Sequence, residues 1–139
     1  MNIMIDTNVI IDDILNRTPN VTDAREICRL VSKNEINGYI SANSITDIYY
    51  IISKKRDEIV ARKVIKNLLL SFNVVSVSGQ DCLDALNLLM EDFEDALVVV
   101  CAKNANLDYI ITNDKVFLSE NLFALCINPY DFLEKHKRL

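Results

Sequence analysis

The sequence predicts an α/β fold in which a parallel sheet of five short strands is flanked by helices on both faces. Short continuous apolar runs alternate with longer stretches of helical period, as expected when strands are buried on both sides. Half of the residues are apolar, and only two are glycine and two proline, which favours regular elements over loops. At 139 residues the chain has the length of one domain with a sizeable core, so a single domain over 1–139 is expected.

Met1–Ile5 reads as the first strand. Asp6-Thr7-Asn8 follows with residues suited to capping, ahead of the apolar Val9-Ile10-Ile11 and Ile14-Leu15 of a short helix. Thr22 or Asp23 opens the next helix, in which Ala24, Ile27, Cys28 and Val31 recur at helical spacing and which Asn37-Gly38 is expected to end. Tyr39-Ile40 makes a second strand. Helical spacing returns in Ala42–Ser53, through Ile45, Ile48, Tyr49 and Ile52, and again in Asp57–Leu70. Val74–Val77 is the third strand, and Ser78-Gly79 precedes a helix carrying Cys82, Leu83, Leu86, Leu89 and Met90. The run Ala96–Ala102 fits helix or strand by period alone, and its length and acidic flank favour helix. Tyr109–Thr112 and Leu125–Ile127 are the last two strands, with Pro129 starting a short terminal helix.

Right-handed crossovers bring the carboxyl ends of such strands to one edge, where α/β sheets place their sites. Four acidic stretches end or flank apolar segments: Ile5-Asp6-Thr7-Asn8, Ile45-Thr46-Asp47-Ile48, Asp92-Phe93-Glu94-Asp95 and Thr112-Asn113-Asp114. Carboxylates crowded together repel unless a cation holds them, and the simplest cation is a hard, oxygen-preferring ion such as Mg2+ or Mn2+. Each stretch also has a purely structural reading. Asp6 suits a helix cap, Ser44-x-x-Asp47 resembles a capping box, Asp92 and Asp95 suit a helix N-terminus, and Asn113-Asp114 suits an ordinary turn. The helix dipole accounts for one or two acids but not readily for all of Glu91, Asp92, Glu94 and Asp95. Of these, Glu91 and Glu94 are expected to be solvated.

The only histidine, His136, lies in a basic tail with Lys135, Lys137 and Arg138, a segment expected to be exposed and frayed. Histidine-pair ribonuclease chemistry, a His/Cys zinc site and a Ser-His-Asp triad therefore lack their parts. Water activated by a carboxylate-bound metal needs no other base. The net charge of -5 argues mildly against a polyanionic partner, although bound cations would offset some of it. Lys54, Lys55, Arg56, Arg62, Lys63 and Lys66 cluster on adjoining helices, either as a solvated face or as a track for a phosphate backbone. Cys28, Cys82, Cys101 and Cys126 are widely separated and read as buried free thiols in a reducing cytosol. The N-terminal apolar stretch is broken by Asp6 and is too short to span a bilayer, so a soluble cytoplasmic protein is expected.

On these residues the chain resembles a PIN-domain ribonuclease, and within that group a VapC-type toxin or close relative. The resemblance runs through Ile5-Asp6-Thr7-Asn8-Val9-Ile10-Ile11-Asp12, Ser41-Ala42-Asn43-Ser44-Ile45-Thr46-Asp47-Ile48-Tyr49-Tyr50, Asp92-Phe93-Glu94-Asp95-Ala96-Leu97 and Ile110-Ile111-Thr112-Asn113-Asp114. It implies a PIN-like five-stranded parallel sheet and acids gathered in one cleft around Mg2+ or Mn2+. By position, Asp6, Asp47, Asp95 and Asp114 match the four catalytic and metal-binding acids, with Asp92 an additional ligand. Asn8 and Thr112 match polar residues that orient ligands or water. Lys55, Arg56, Arg62 and Lys63 become RNA-binding candidates. The second acid is more often Glu in the wider family, so Asp47 must sit closer to the metal or act through water. The resemblance further implies an RNA substrate, a homodimer and, for a toxin, an antitoxin protein encoded beside it.

Three other functions fit less of the chain. A haloacid-dehalogenase-type phosphatase needs an Asp two residues after Asp6, where Asn8 stands. A receiver domain concentrates its acids near the first strand and needs a late strand-end Lys, for which Lys115 is poorly placed. A catalytically silent PIN-like module for RNA or protein binding would have little need of the retained acids.

Overall fold

A computed structural model describes residues 1–138. β1 (Asn2–Ile5), β2 (Asn37–Ser41), β3 (Asn73–Val75), β4 (Tyr109–Ile111) and β5 (Cys126–Ile127) form one sheet in the order β3-β2-β1-β4-β5, with every pairing parallel. The chain steps outward from β1 to β2 and β3, then returns to the other side of β1 as β4 and β5. The reversal therefore falls between β1 and β4, and in open α/β sheets the crevice at the carboxyl ends of such a pair is where ligands bind.

Alternation along the strands explains why their apolar runs are continuous. Ile3 and Ile5 of β1 and Ile111 of β4 join one core, whereas Met4 and Ile110 join the core on the other face. The first core is completed by α1 (Thr7–Ile14), α2 (Val21–Ser32), α3 (Ala42–Lys55), α4 (Glu58–Ser71) and α8 (Pro129–Lys137). The opposite core is built on α6 (Phe93–Asn104) and α7 (Lys115–Glu120), with α5 (Gly79–Leu86) packed on α6. Every residue from Ala96 to Ala102 is buried, which is why α6 has no polar stripe and its period was ambiguous.

Several local expectations are corrected. α2 ends at Ser32, where Asn34 turns the chain out in the left-handed region at φ 61°, instead of continuing to Asn37-Gly38. Gly38 is a strand residue whose glycine has a packing role: a Cβ there would stand 2.8 Å from the side chains of Phe72 and Val31. The third strand is Asn73–Val75, shifted back from Val74–Val77. α5 stops at Leu86, leaving Leu89 and Met90 outside the helix. α7 and the 3-10 turn Leu122–Ala124 have no counterpart in the sequence reading. In the basic tail Lys135, Lys137 and Arg138 are exposed but His136 is half-buried, and the segment is helical as far as Lys137 because Phe132 and Leu133 anchor α8 in the core. The four cysteines are free; Cys101 is buried and the others are half-buried. Burial pushes the Cys101 thiol up to about 11 and Cys126 to about 12, so both stay protonated at neutral pH. Among the described residues no helix is long and apolar enough to cross a membrane.

Candidate functional site

All five predicted acids are delivered to one place, by the ends of β1 and β4, by α3 after β2, and by the start of α6. Asp6 directly follows β1, and its amide extends the ladder by donating to the Ile111 carbonyl at 3.0 Å. Its carboxyl group is buried and makes no cap hydrogen bond to α1, so the capping alternative does not account for it. Thr112, fully buried after β4, instead donates its hydroxyl to Asp6 Oδ2 at 2.8 Å. The same hydroxyl oxygen accepts the Asp114 amide at 3.0 Å, tying the two strand ends together.

Asp47 lies in the second turn of α3. The N-cap is Ser41, so the capping box proposed for Ser44 and Asp47 does not form. Ser41 and Ser44, both buried, hydrogen-bond each other at 2.9 Å and fix the β2–α3 junction. Asp92 and Asp114 serve as caps with one oxygen each. Asp92 Oδ1 accepts the Asp95 amide at 3.0 Å, and Asp114 Oδ1 accepts the Val116 and Phe117 amides at 2.9 and 3.0 Å. Capping and cleft lining are thus compatible, because one oxygen of each carboxylate satisfies the helix while the group faces the cleft.

The resulting cleft holds about 350 Å³ and is lined by Asp6, Asp47, Asp92, Glu94, Asp95 and Asp114. Asn8 lies on its wall, as do Asn43, Ser44 and Tyr50, and among the described residues no basic side chain lines it. Burial pushes the Asp95 carboxyl up to about 7, with the like charges of Asp6, Asp92, Asp114 and Glu120 adding to the rise. Burial also raises Asp6; the Thr112 hydroxyl and the Thr7 amide pull it back down, while Asp114 and Asp92 add to the rise. Burial and crowding thus hold the Asp6 and Asp95 carboxyls above the ordinary carboxylate range.

An all-oxygen donor set of this kind suits Mg2+ or Mn2+ better than a soft ion. Asn43 Oδ1 adds a buried oxygen with no hydrogen-bond partner. Among the described residues, no three of the acids stand close enough together to form a closed cage for one ion. The donor set therefore fits an ion that keeps much of its water, as Mg2+ characteristically does.

The structure also brings in residues the sequence reading placed elsewhere. Glu94, expected to be solvated, lines the cleft, and partial burial raises its carboxyl with Asp47 and Asp92 adding to the effect. Asn43 and Tyr50 stand four before and three after Asp47, and that spacing on α3 was the signal that they share its face. Glu120, at the end of α7, accepts the Glu91 amide at 2.9 Å and pins the segment leading to Asp92. Lys55, Arg56, Arg62 and Lys63 do not line the cleft. They are exposed on the far end of α3 and on α4, with Lys55 about 12 Å along the helix from Asp47 by helical rise.

The chain is similar to known proteins both in sequence and in fold. The PIN domain family profile matches residues 2–116. The chain is 28% identical over 133 residues to Ribonuclease VapC1 of Aquifex aeolicus (strain VF5), covering 92% of each protein. Among solved structures, VapBC2 from Rickettsia felis, bound to a DNA fragment from their promoter, superposes with a TM-score of 0.68 at 17% identity, over 92% of this chain and 98% of that one. Mycobacterium tuberculosis VapC20, a Sarcin-Ricin loop cleaving toxin, superposes with a TM-score of 0.68 at 14% identity, over 85% and 94% of the two chains. The five-stranded parallel sheet with helices on both faces is thus the PIN-like fold of the VapC structures. The chain belongs to the PIN domain family.

Proposed function

We propose that this protein is a divalent-metal-dependent endoribonuclease, acting as a single domain and as the toxin of a toxin–antitoxin pair. The observation that carries the reading is the cleft of six carboxylates, set at the reversal of the sheet and lined, among the described residues, by no basic side chain. The similarity to Ribonuclease VapC1 over most of both chains supports RNA as substrate. The VapBC structural neighbours support an antitoxin protein as partner.

Asp6, Asp47, Asp95 and Asp114 are the residues proposed to hold Mg2+ or Mn2+, with Asp92 and Glu94 beside them. Bound there, such an ion supplies an activated water at neutral pH and offsets charge developing on the phosphoryl oxygens. Thr112 keeps Asp6 oriented by its hydroxyl, and Asn8 offers a neutral polar group at the cleft wall. No histidine base competes for this role: His136 stacks on Phe132 of α8, with ring centroids 6.1 Å apart. Homodimerisation and a cytoplasmic location complete the proposal, as expected of a toxin of this kind.

A phosphatase reading is disfavoured because Asn8 stands where that chemistry needs a second Asp. Purified protein should cleave single-stranded RNA with Mg2+ or Mn2+. EDTA should stop it, and Asp6→Asn or Asp95→Asn should each slow it by a factor on the order of 100 or more without unfolding the protein. Undiminished cleavage in EDTA, or in both variants, would sink the proposal.

A further inference from the structure

Beside the acid cleft lies a second cleft of about 490 Å³, whose wall includes Asn20, Asp23, Asn113, Lys115, Asn128 and Tyr130. The two clefts share one partition. In Asn113-Asp114-Lys115 the middle residue lines the acid cleft, while its two neighbours line the second. A group bound in the second cleft is thus separated from the acids only by that segment.

Its chemistry complements the acid cleft. The Lys115 ammonium is exposed and forms no ion pair among the described residues. Tyr130 is 60% exposed, yet its backbone is held in the first turn of α8 by buried Pro129 and Phe132 on either side. Asn20 precedes α2 without a side-chain cap hydrogen bond. Asn113 donates its amide nitrogen to Asp12 Oδ2 at 3.2 Å, a bond that positions the partition and leaves its carbonyl oxygen for another donor. Asn128 is committed on both atoms to Asp131 and serves as wall. A free cation, a steadied aromatic face and uncommitted amide and carboxylate groups are what an unpaired nucleotide needs for its phosphate, its base and the base edge.

We propose that this second cleft binds the nucleotide adjoining the scissile phosphate. Lys115 contacts the backbone phosphate, Tyr130 stacks the base, and Asn20, Asp23 and the Asn113 carbonyl read its edge. The inference rests on the ribonuclease reading and adds that the substrate is unpaired at this position, since a base inside a duplex cannot stack on a tyrosine.

The test uses the full chain with Mn2+ and two substrates, an unstructured RNA and bis(p-nitrophenyl) phosphate, a diester with no nucleotide to fill the cleft. Wild-type cleavage of the RNA tests the ribonuclease reading by itself. Given that activity, Tyr130→Ala and Lys115→Ala should each raise KM for RNA about tenfold, and Tyr130→Phe should recover the wild-type value. The loss should be selective, with the ratio of kcat/KM for RNA to that for the small diester falling by a similar factor. An unchanged RNA KM in both variants, or equal losses on the two substrates, overturns the subsite and leaves the ribonuclease reading standing. If wild type cuts no RNA, that reading fails, and the remaining claim, that this cleft binds an unpaired nucleotide, is decided by amide chemical shifts on adding an unpaired ribonucleotide hexamer without metal. Shifts at Asn113, Lys115 and Tyr130 that a duplex of the same sequence does not produce support it; their absence overturns it.

Discussion

Thr112 stands between Asp6 and Asp114, donating to the Asp6 carboxyl at 2.8 Å and accepting the Asp114 amide at 3.0 Å. One hydroxyl thus orients a residue after β1 and a residue after β4, which are more than a hundred positions apart in sequence. Thr112→Val keeps the shape but leaves the buried Asp6 oxygen and the Asp114 amide unpaired, a loss of about 1–3 kcal/mol. Denaturant unfolding should show this drop, and Thr112→Ser should recover most of it. Equal stability of the Val and Ser variants would show that the bond contributes nothing.

The raised carboxyls give the metal-free protein a defined pH dependence. An unfolded Asp titrates near 3.9, whereas Asp95 in the fold is pushed up to about 7. Between those values the native state binds more protons than the unfolded one, so this group's contribution to stability falls as pH rises from about 4 to about 7. In EDTA, Asp95→Asn should therefore gain melting temperature relative to wild type as pH rises through this window. Metal binding must displace the same protons, so Mn2+ should raise the wild-type melting temperature more at pH 8 than at pH 5.5. A constant gap between variant and wild type would refute the proton uptake, and melting curves indifferent to millimolar metal at both pH values would refute the ion site.

Much of this site was legible because strand ends and acids coincide in the sequence. Asp6 follows Ile3-Met4-Ile5 directly, and Asp114 follows Tyr109-Ile110-Ile111 by only a short turn, so the parallel order alone brings them to one edge. Glu94 was not legible, since facing solvent or facing Asp47 depends on how the start of α6 is placed across the cleft from α3, a tertiary relation no local period encodes. α7 was missed because its six residues bury only Phe117, too little to display a helical stripe. Gly38 looked like a helix stop because glycine commonly ends helices, whereas here the absent Cβ makes room for Phe72 and Val31.

The basic residues away from the cleft make a separable prediction. Lys55, Arg56, Arg62 and Lys63 are exposed and lie outside the acid cleft, so they suit phosphate contacts that position RNA without entering the chemistry. Replacing all four with Ala should weaken RNA binding and flatten its salt dependence. The log–log slope should shrink by about 0.7 for every phosphate of single-stranded RNA that these side chains neutralise in the wild type. An unchanged slope would mark this face as merely solvated.

In the proposed reaction, water activated at the carboxylate cleft, and not the RNA 2′-hydroxyl, attacks the phosphodiester. The most direct measurement is end-group analysis of RNA cut by the purified protein in Mg2+ or Mn2+. Attack by water with departure of the 3′ oxygen leaves a 5′-phosphate and a 3′-hydroxyl, and these are the ends expected. Products ending in 2′,3′-cyclic phosphate and 5′-hydroxyl would contradict the account, because those ends require the RNA's own hydroxyl as nucleophile.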